Sequence, residues 1–296
     1  MRWMAALLVN DNSKISFIYD LQCSQDRMCP KLGHILSEGA VREGGVVMKN
    51  AISGSFRQAA NIWFFLVPLL TAGVIMLNFV DPLIRAYREN SFIEGLHINL
   101  LTQSFQSDAL ISFLPILAAL PFSGCFVDDL KSKFARFFLI RSSYRTYIVS
   151  RIIVCFLAGG LAILSGALIV WGTTAVVLIP IEREIEGMEP ASIDGLIEIC
   201  FLLFVNGGFW SVVGMAMSTL MESKYISYAT PFVFYYLLVI LYERYFSDLF
   251  IIYPKTWTDP AVWPFGCWGA AIFLLEMTLI FAILFAFRAG RRLQQL

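Results

Sequence analysis

Residues 152–181 have the sequence IIVCFLAGGLAILSGALIVWGTTAVVLIPI. None of these 30 residues is charged, and the stretch is bounded by Arg151 and Glu182. A helix rises about 1.5 Å per residue, so roughly 20 apolar residues cross a hydrocarbon core of about 30 Å. The stretch therefore predicts a membrane-spanning helix.

The composition of the whole chain agrees with a membrane protein. Hydrophobic residues make up 58% of it and charged residues 15%, and the mean hydropathy is +0.71. Soluble domains average roughly 45–50% apolar and about 25% charged residues, so this excess is too large for a soluble core. The six cysteines form no C-x-x-C pair and indicate neither a disulfide framework nor a metal site. We expect no nucleic-acid partner, although the formal net charge of zero says nothing about nucleic acid by itself.

Five further stretches are long enough to cross a membrane. They contain 23 uncharged residues between Arg57 and Asp81, 19 between Asp108 and Asp128, 23 between Glu198 and Glu222, 18 between Lys224 and Glu243, and 28 residues from Pro260 to Phe287 whose one charge is Glu276. We therefore predict an all-α integral membrane protein with six transmembrane helices.

The distribution of basic residues predicts the orientation of the six spans. With the N-terminus inside, and counting from Met48, the inside segments hold 12 Lys and Arg residues and the outside segments hold five. Cytoplasmic loops carry the excess of Lys and Arg, so both ends of the chain are expected in the cytoplasm.

Residues 1–47 are polar and aperiodic and predict a poorly structured extension rather than a domain. Arg42-Glu43-Gly44-Gly45 would be encoded by a purine-rich tract, at the place where a ribosome-binding site precedes a start at Met48. We therefore expect the natural chain to begin at Met48, with a genuine cytoplasmic extension as the alternative. The six-span domain then covers residues 48–296.

The inside segment from Val127 to Tyr147 predicts an amphipathic helix along the membrane surface. Apolar residues recur at steps of three and four, and the acidic pair Asp128 and Asp129 lies in the first turn, where the helix dipole favours negative charge. The apolar positions are Val127, Leu130, Phe134, Phe137, Ile140, Tyr144 and Ile148, and the basic ones are Lys131, Lys133, Arg136, Arg141 and Arg145. A generic interfacial helix attracted to anionic lipid is the alternative.

The same segment resembles a known family. Residues 120–151 contain a series of short runs that is similar to the region between spans two and three of bacterial type-2 ABC exporter permeases. The runs are Leu120-Pro121-Phe122-Ser123-Gly124, Phe126-Val127-Asp128-Asp129, Lys131-Ser132, Arg136-Phe137, Leu139-Ile140-Arg141-Ser142-Ser143 and residues 147–151. About 35 positions carry the resemblance.

The resemblance implies a coupling helix that docks on a separate ATPase subunit. The residues expected to couple to the ATPase are Asp128, Asp129, Lys131, Lys133, Arg136, Arg141 and Arg145, with Glu222 and Lys224 in a second, shorter loop. It further implies a permease subunit in a bacterial plasma membrane that works as a dimer of identical or related chains. By the same analogy, Asn50 to Ala60 would form an interfacial helix, and Glu243 to Trp263 would hold short re-entrant helices.

The chain has no sequence motif for hydrolysing ATP itself. It contains no Gly-Lys dipeptide, so no phosphate-binding G-x-x-x-x-G-K-[ST] loop exists, and ATP and Mg would be bound by the partner subunit. H-E-x-x-H and G-x-S-x-G are also absent. We expect no catalytic residue, metal site or cofactor in this chain.

Two polar residues within predicted spans are candidates for a translocation pathway. Glu276 lies inside the sixth span, where an ionised side chain costs about 2.5–3.5 kcal/mol, although it could instead be protonated and hydrogen-bonded or reach the outer surface. Asn206 lies beside two glycines and could equally hydrogen-bond a neighbouring helix. Ala158, Ala162 and Gly166, at spacing four, predict a face that packs on another span.

Three other function classes fit a six-span chain. A secondary transporter needs paired ionisable residues at the midplane and internal repeats, and a membrane-embedded enzyme needs several polar catalytic groups at one depth. Neither pattern is evident in the sequence. A non-transporting membrane component of a resistance or sensing complex is the third alternative.

Overall fold

The computed structural model describes residues 51–59, 62–89, 95–132, 135, 143–182, 193–221 and 223–293. The extension predicted at residues 1–47 lies outside these ranges. The described helices are α1 (residues 51–59), α2 (Ile62–Glu89), α3 (Leu96–Phe105), α4 (Asp108–Ala119), α5 (Cys125–Lys131), α6 (Tyr144–Leu178), α7 (Ile193–Met221), α8 (Lys224–Arg244) and α9 (Cys267–Leu293). Every regular element in these ranges is helical, which confirms an all-α architecture.

Of the described helices, five are long and apolar enough to cross a membrane: α2 over Ile62–Arg88, and the whole of α6, α7, α8 and α9. Their lengths are 27, 35, 29, 21 and 27 residues. These helices coincide with the first, third, fourth, fifth and sixth predicted spans. The chain is therefore a multi-pass membrane protein by the length and composition of its helices.

The second predicted span, between Asp108 and Asp128, is not one helix. Ser107 caps α4, which ends after 12 residues at Ala119, and a turn over residues 120–124 separates it from α5. Pro121 lies in this turn and has no N–H with which to continue the helical hydrogen bonds. A 12-residue helix is about 18 Å long, so α4 alone is shorter than the hydrocarbon core.

The predicted amphipathic helix from Val127 to Tyr147 is also not continuous. Its first part is α5, which ends at Lys131, and residues 133–134 and 136–142 lie outside the described part of the chain. Ser143 has an extended backbone, and its hydroxyl accepts a hydrogen bond from the Thr146 N–H at 3.2 Å, so a new helix begins there. Tyr144 therefore belongs to the membrane-spanning α6 and not to the loop helix.

Helix α7 is the centre of the bundle. It packs against α4, α6, α8 and α9, and 78% of its most apolar window is buried, against 17% for α8. A Cβ atom placed on Gly159 of α6 would lie 2.5 Å from Ser211 Cβ and 2.8 Å from the Gly207 carbonyl oxygen of α7. Small residues thus let the two backbones approach closely, which is how helices associate where lipid removes the hydrophobic drive.

The small-residue face predicted on α6 is confirmed at Gly166. A Cβ atom there would lie 2.6 Å from Thr71 Cβ and 2.8 Å from the Pro68 carbonyl oxygen of α2. Ala158 and Ala162, on the same face, are fully buried. One face of α6 therefore receives α2, and Gly159 lets α7 approach it from another direction.

The segment between α8 and α9 forms three short 3-10 helices, Phe250–Ile252, Pro254–Thr258 and Pro260–Val262. Trp257 from this segment is buried and stacks on Trp210 of α7, with ring centroids 5.8 Å apart and an interplanar angle of 27°. Trp210 is 11 residues from the last residue of α7, so the segment reaches well into the bundle. Short helices thus lie in the range Glu243 to Trp263, where the resemblance implied re-entrant helices.

The two ends of the bundle differ in charge. We call the end where α2, α6 and α8 begin the basic end; its described residues include eight basic side chains and two acidic ones, namely Arg57, Lys131, Arg145, Arg151, Lys224, Arg288, Arg291 and Arg292 with Asp128 and Asp129. The opposite, acidic end holds eight acidic and four basic described side chains, namely Asp81, Asp108, Glu182, Asp194, Glu198, Glu243, Asp248 and Asp259 with Arg85, Arg88, Arg244 and Lys255.

Replacing Gly159 with alanine should destabilise the bundle by about 1–3 kcal/mol, because the new methyl group overlaps α7. Gly172 is on the same helix and has open space around its Cβ position, so Gly172→Ala should be neutral or stabilise the fold by roughly 0.5–1 kcal/mol. Unfolding of both variants in detergent micelles measures the difference. Equal stabilities would contradict the close packing of α6 on α7.

Candidate functional site at the basic end

The two neighbouring carboxylates of α5 have opposite environments. Side chains of successive helical residues point in directions about 100° apart. Here one of the two points into the bundle and the other points towards its surface. The side chain of Asp129 is 1% exposed, whereas that of Asp128 is 43% exposed. The family resemblance implied that both residues couple to an ATPase, but only the Asp128 side chain is exposed to a partner.

Asp129 is held by groups from α1 and α6. Arg151 Nη2 forms an ion pair with Asp129 Oδ2, and the Tyr147 hydroxyl donates a hydrogen bond to the same oxygen at 2.5 Å. Gln58 Nε2 donates to Asp129 Oδ1 at 3.1 Å. Tyr147 and Arg151 are four residues apart and so share one face of α6. A single carboxylate therefore joins α1, α5 and α6.

Arg151 is as deeply buried as its partner, at 1% exposure. Its guanidinium lies 5.4 Å from the Phe122 ring centroid and 5.2 Å from that of Tyr147, so the two aromatic rings partly replace water around the cation. Within the described ranges, its Nε and Nη1 atoms have no hydrogen-bond partner. The charge of Arg151 is thus compensated by Asp129 and by ring faces, and loss of the carboxylate would leave it uncompensated.

Asp128 forms a more open ion pair. Its Oδ1 is paired with the Nζ of Lys224, the first residue of α8, and the two side chains are 43% and 42% exposed. Exposed pairs of this kind contribute about 0–1 kcal/mol. This pair links the start of the long loop to the start of α8, which brings together members of the two loops predicted to contact an ATPase.

A cleft of about 130 Å³ lies beside this pair. Its lining includes Gln58, Trp63, Asp128, Lys224 and Tyr228. Gln58 also binds Asp129, so the cleft adjoins the buried network.

The other residues predicted to couple to an ATPase are either exposed without a role in this network or lie outside the described residues. Lys131 and Arg145 are exposed at the basic end. The remaining four, namely Lys133, Arg136, Arg141 and Glu222, lie outside the described residues. Arg57, which precedes the first span, is exposed on α1.

The two pathway candidates have different surroundings. Asn206 is buried in α7, and its Oδ1 has no hydrogen-bond partner among the described residues. Glu276 is exposed on the outer face of α9. The structure therefore places one candidate inside the bundle of this chain and the other on its surface.

The acidic end has its own polar contacts, which the sequence did not reveal. Glu182 accepts hydrogen bonds from the backbone N–H groups of Gly95 at 3.0 Å and His97 at 2.7 Å, and its Oε1 lies 2.7 Å from His97 Nδ1. Lys255 Nζ lies 2.7 Å from Asp108 Oδ1. Hydrogen bonding to Asp108 raises the pKa of Lys255, so the lysine remains charged at neutral pH. These contacts link α3 to the residues that follow α6, and the segment between α8 and α9 to the start of α4.

Comparisons with known proteins give no family for this chain. No family model, no curated protein and no solved structure matches it. Among the described residues, no group of three or more His, Cys, Asp or Glu side chains could hold a metal ion.

Sequence reasoning missed the residues that hold Asp129. It counted Arg151 as the last charge of a loop and gave no role to Tyr147 or Gln58. The spacing of four between Tyr147 and Arg151, at the start of a span, was an available signal for a shared face. Nothing in the sequence indicated that Gln58 would reach α5.

Asp129→Asn should lower the free energy of unfolding by about 3–5 kcal/mol, because it leaves the buried Arg151 without its counter-charge. The adjacent substitution Asp128→Asn is the matched control and should cost no more than about 1 kcal/mol. Unfolding in detergent micelles measures both. Replacing the whole pair, as in Asp129→Leu with Arg151→Met, should recover much of the loss; equal effects of the two single variants would contradict the assigned environments.

Proposed function

We propose that this chain is the transmembrane subunit of a bacterial ABC exporter. It lies in the plasma membrane, pairs with a second permease chain and is driven by a separate ATPase subunit that binds ATP and Mg. The resemblance of the segment around Asp128 to type-2 permeases supports the family. The buried ion pair and the positive charge of the basic end support a contact with an ATPase at that end.

The observation that carries the proposal is the Asp129–Arg151 pair. The segment that resembles a coupling helix connects the end of α5 to the start of α6, and Ala135 within it is buried. Because the pair joins these two helices through buried charges, a force on the loop would move α5 and α6 together rather than bend one against the other. Such a rigid base is what an ATPase needs if its closure is to reposition membrane helices.

The charge difference between the ends supports the proposed orientation. Basic residues outnumber acidic ones eight to two at the basic end, and the ratio is four to eight at the other end. The positive-inside rule assigns the basic end to the cytoplasm, where an ATPase would be.

The position of Glu276 supports a second permease chain. It lies on an exposed face of α9 together with Ile272, Leu279 and Ile283, which are 55%, 61% and 60% exposed. An ionised glutamate costs about 2.5–3.5 kcal/mol in hydrocarbon, so this face favours cover by protein or a shared pathway over contact with lipid.

A secondary transporter is less well supported. Among the described residues, the most deeply buried charged side chains are Asp129 and Arg151 at the basic end, with Glu182 at the acidic end. Coupling ions bind near the midplane in that class, where a pair of ionisable groups is needed. A non-transporting subunit of a sensing complex would use the same rigid base and is separated from an exporter only by a transport assay.

Cysteine labelling of intact cells tests the orientation. In a background in which Cys23 and Cys29 are replaced by serine, the described cysteines are buried and should give little signal. A membrane-impermeant maleimide should label Asp248→Cys at the acidic end and not Lys131→Cys at the basic end, because only the acidic end faces outside. The reverse pattern would invert the proposed topology.

Affinity purification in mild detergent tests the ATPase partner. A tag at the C-terminal end of the full chain should recover an ATPase subunit, identified by mass spectrometry. Arg136→Glu with Arg141→Glu should abolish recovery, because both residues belong to the proposed coupling segment. Arg288→Glu with Arg291→Glu reverses two charges at the same end but outside that segment, and should leave recovery unchanged. A chain that is repeatedly purified alone would contradict the ABC assignment.

A further inference from the structure

The cleft at the basic end has the composition of a small binding site. It is formed where the first turns of α2 and α8 meet the turn over residues 120–124, and its volume is about 130 Å³. Its polar side chains are Gln58, Trp63, Asp128, Lys224 and Tyr228. The first residues of two membrane helices lie here, so the cleft is at the depth of lipid head groups, where Trp and Tyr are typically enriched.

The charges of the cleft complement a zwitterion. One carboxylate, from Asp128, and one ammonium, from Lys224, line it, so its net charge is zero. The two groups are paired with each other, but both are more than 40% exposed. Such a pair is weakly held in water and can open to a ligand that replaces both partners. A purely anionic ligand would gain Lys224 and be repelled by Asp128.

An apolar surface continues from the cleft along the membrane helices. Trp63 shares one face of α2 with Leu66 and Leu70, which are 38% and 44% exposed. On α8, Tyr228 is followed one turn later by Phe232, whose ring is 4.7 Å from that of Tyr236. Helices α2 and α8 both pack on the short α4. A head group in the cleft would therefore have its acyl chains beside apolar side chains.

We propose that this cleft binds the head group of phosphatidylethanolamine from the leaflet at the basic end. The lipid ammonium binds the Asp128 carboxylate, and the phosphate binds the Lys224 ammonium and the Tyr228 hydroxyl. Asp128 already accepts a primary ammonium, that of Lys224, and the ethanolamine ammonium is a donor of the same kind. A trimethylammonium group has no N–H to donate, and a glycerol head group has no cation to offer.

Native mass spectrometry of the purified full chain in detergent tests the site with three added lipids that share the same acyl chains. Phosphatidylethanolamine should bind roughly tenfold more tightly than phosphatidylcholine or phosphatidylglycerol, since it alone makes charge-assisted hydrogen bonds with both ions of the cleft. The lipid should bind whether or not an ATPase partner exists, so failure here and failure of the proposed function are separate results.

Two variants localise the binding. Asp128→Asn should weaken phosphatidylethanolamine binding roughly tenfold and improve phosphatidylglycerol binding, because Lys224 is then unopposed. Arg288→Gln removes a basic side chain from the same end outside the cleft and should leave the order of lipids unchanged. If the unaltered chain binds the three lipids equally or prefers phosphatidylglycerol, or if Asp128→Asn leaves the order unchanged, the proposal is wrong.

Discussion

A buried ion pair between Asp129 and Arg151 holds the basic end of this protein together. Neither charge can reach water, and removal of one would leave the other uncompensated in a poorly solvated site. Gln58 and Tyr147 complete the hydrogen bonding of the carboxylate, so α1, α5 and α6 meet around one side chain. The positions of α5 and of the first turn of α6 both follow from the requirement that these charges remain together.

The centre of the bundle depends on a different kind of contact. Gly159 and Gly207 let the backbones of α6 and α7 come close, and Gly166 does the same for α6 and α2. These contacts involve no charge and rely on dispersion between closely fitting surfaces, as expected where lipid surrounds the helices. The protein therefore combines a core fixed by close packing with one end fixed by buried charge, and the loop proposed to contact an ATPase leaves from that end.

Counting uncharged residues predicted five of the long helices because lipid imposes both length and apolarity on any helix that crosses it. For the second span the same count wrongly predicted a single helix. Its residues are apolar, but Pro121 interrupts the helical hydrogen bonds. The spacing of apolar residues likewise predicted a loop helix that continues past Ser143, because this spacing does not reveal that Ser143 caps a new helix. The different environments of Asp128 and Asp129 were not predictable, since they depend on which side of α5 receives α6, and that is decided by residues distant in the sequence.

The two adjacent carboxylates have different roles: Asp129 stabilises the fold, and Asp128 can exchange its partner. Asp129 is fixed, because separating it from Arg151 would leave both charges unpaired in a site that water cannot reach. Asp128 is half exposed, so its bond to Lys224 can open at small cost and be replaced by a ligand of matching charge. Opening it would break the ion pair between α5 and α8 and would leave the buried pair between α5 and α6 intact. One short helix can thus keep the base of the loop rigid while its outer side exchanges partners with a lipid head group.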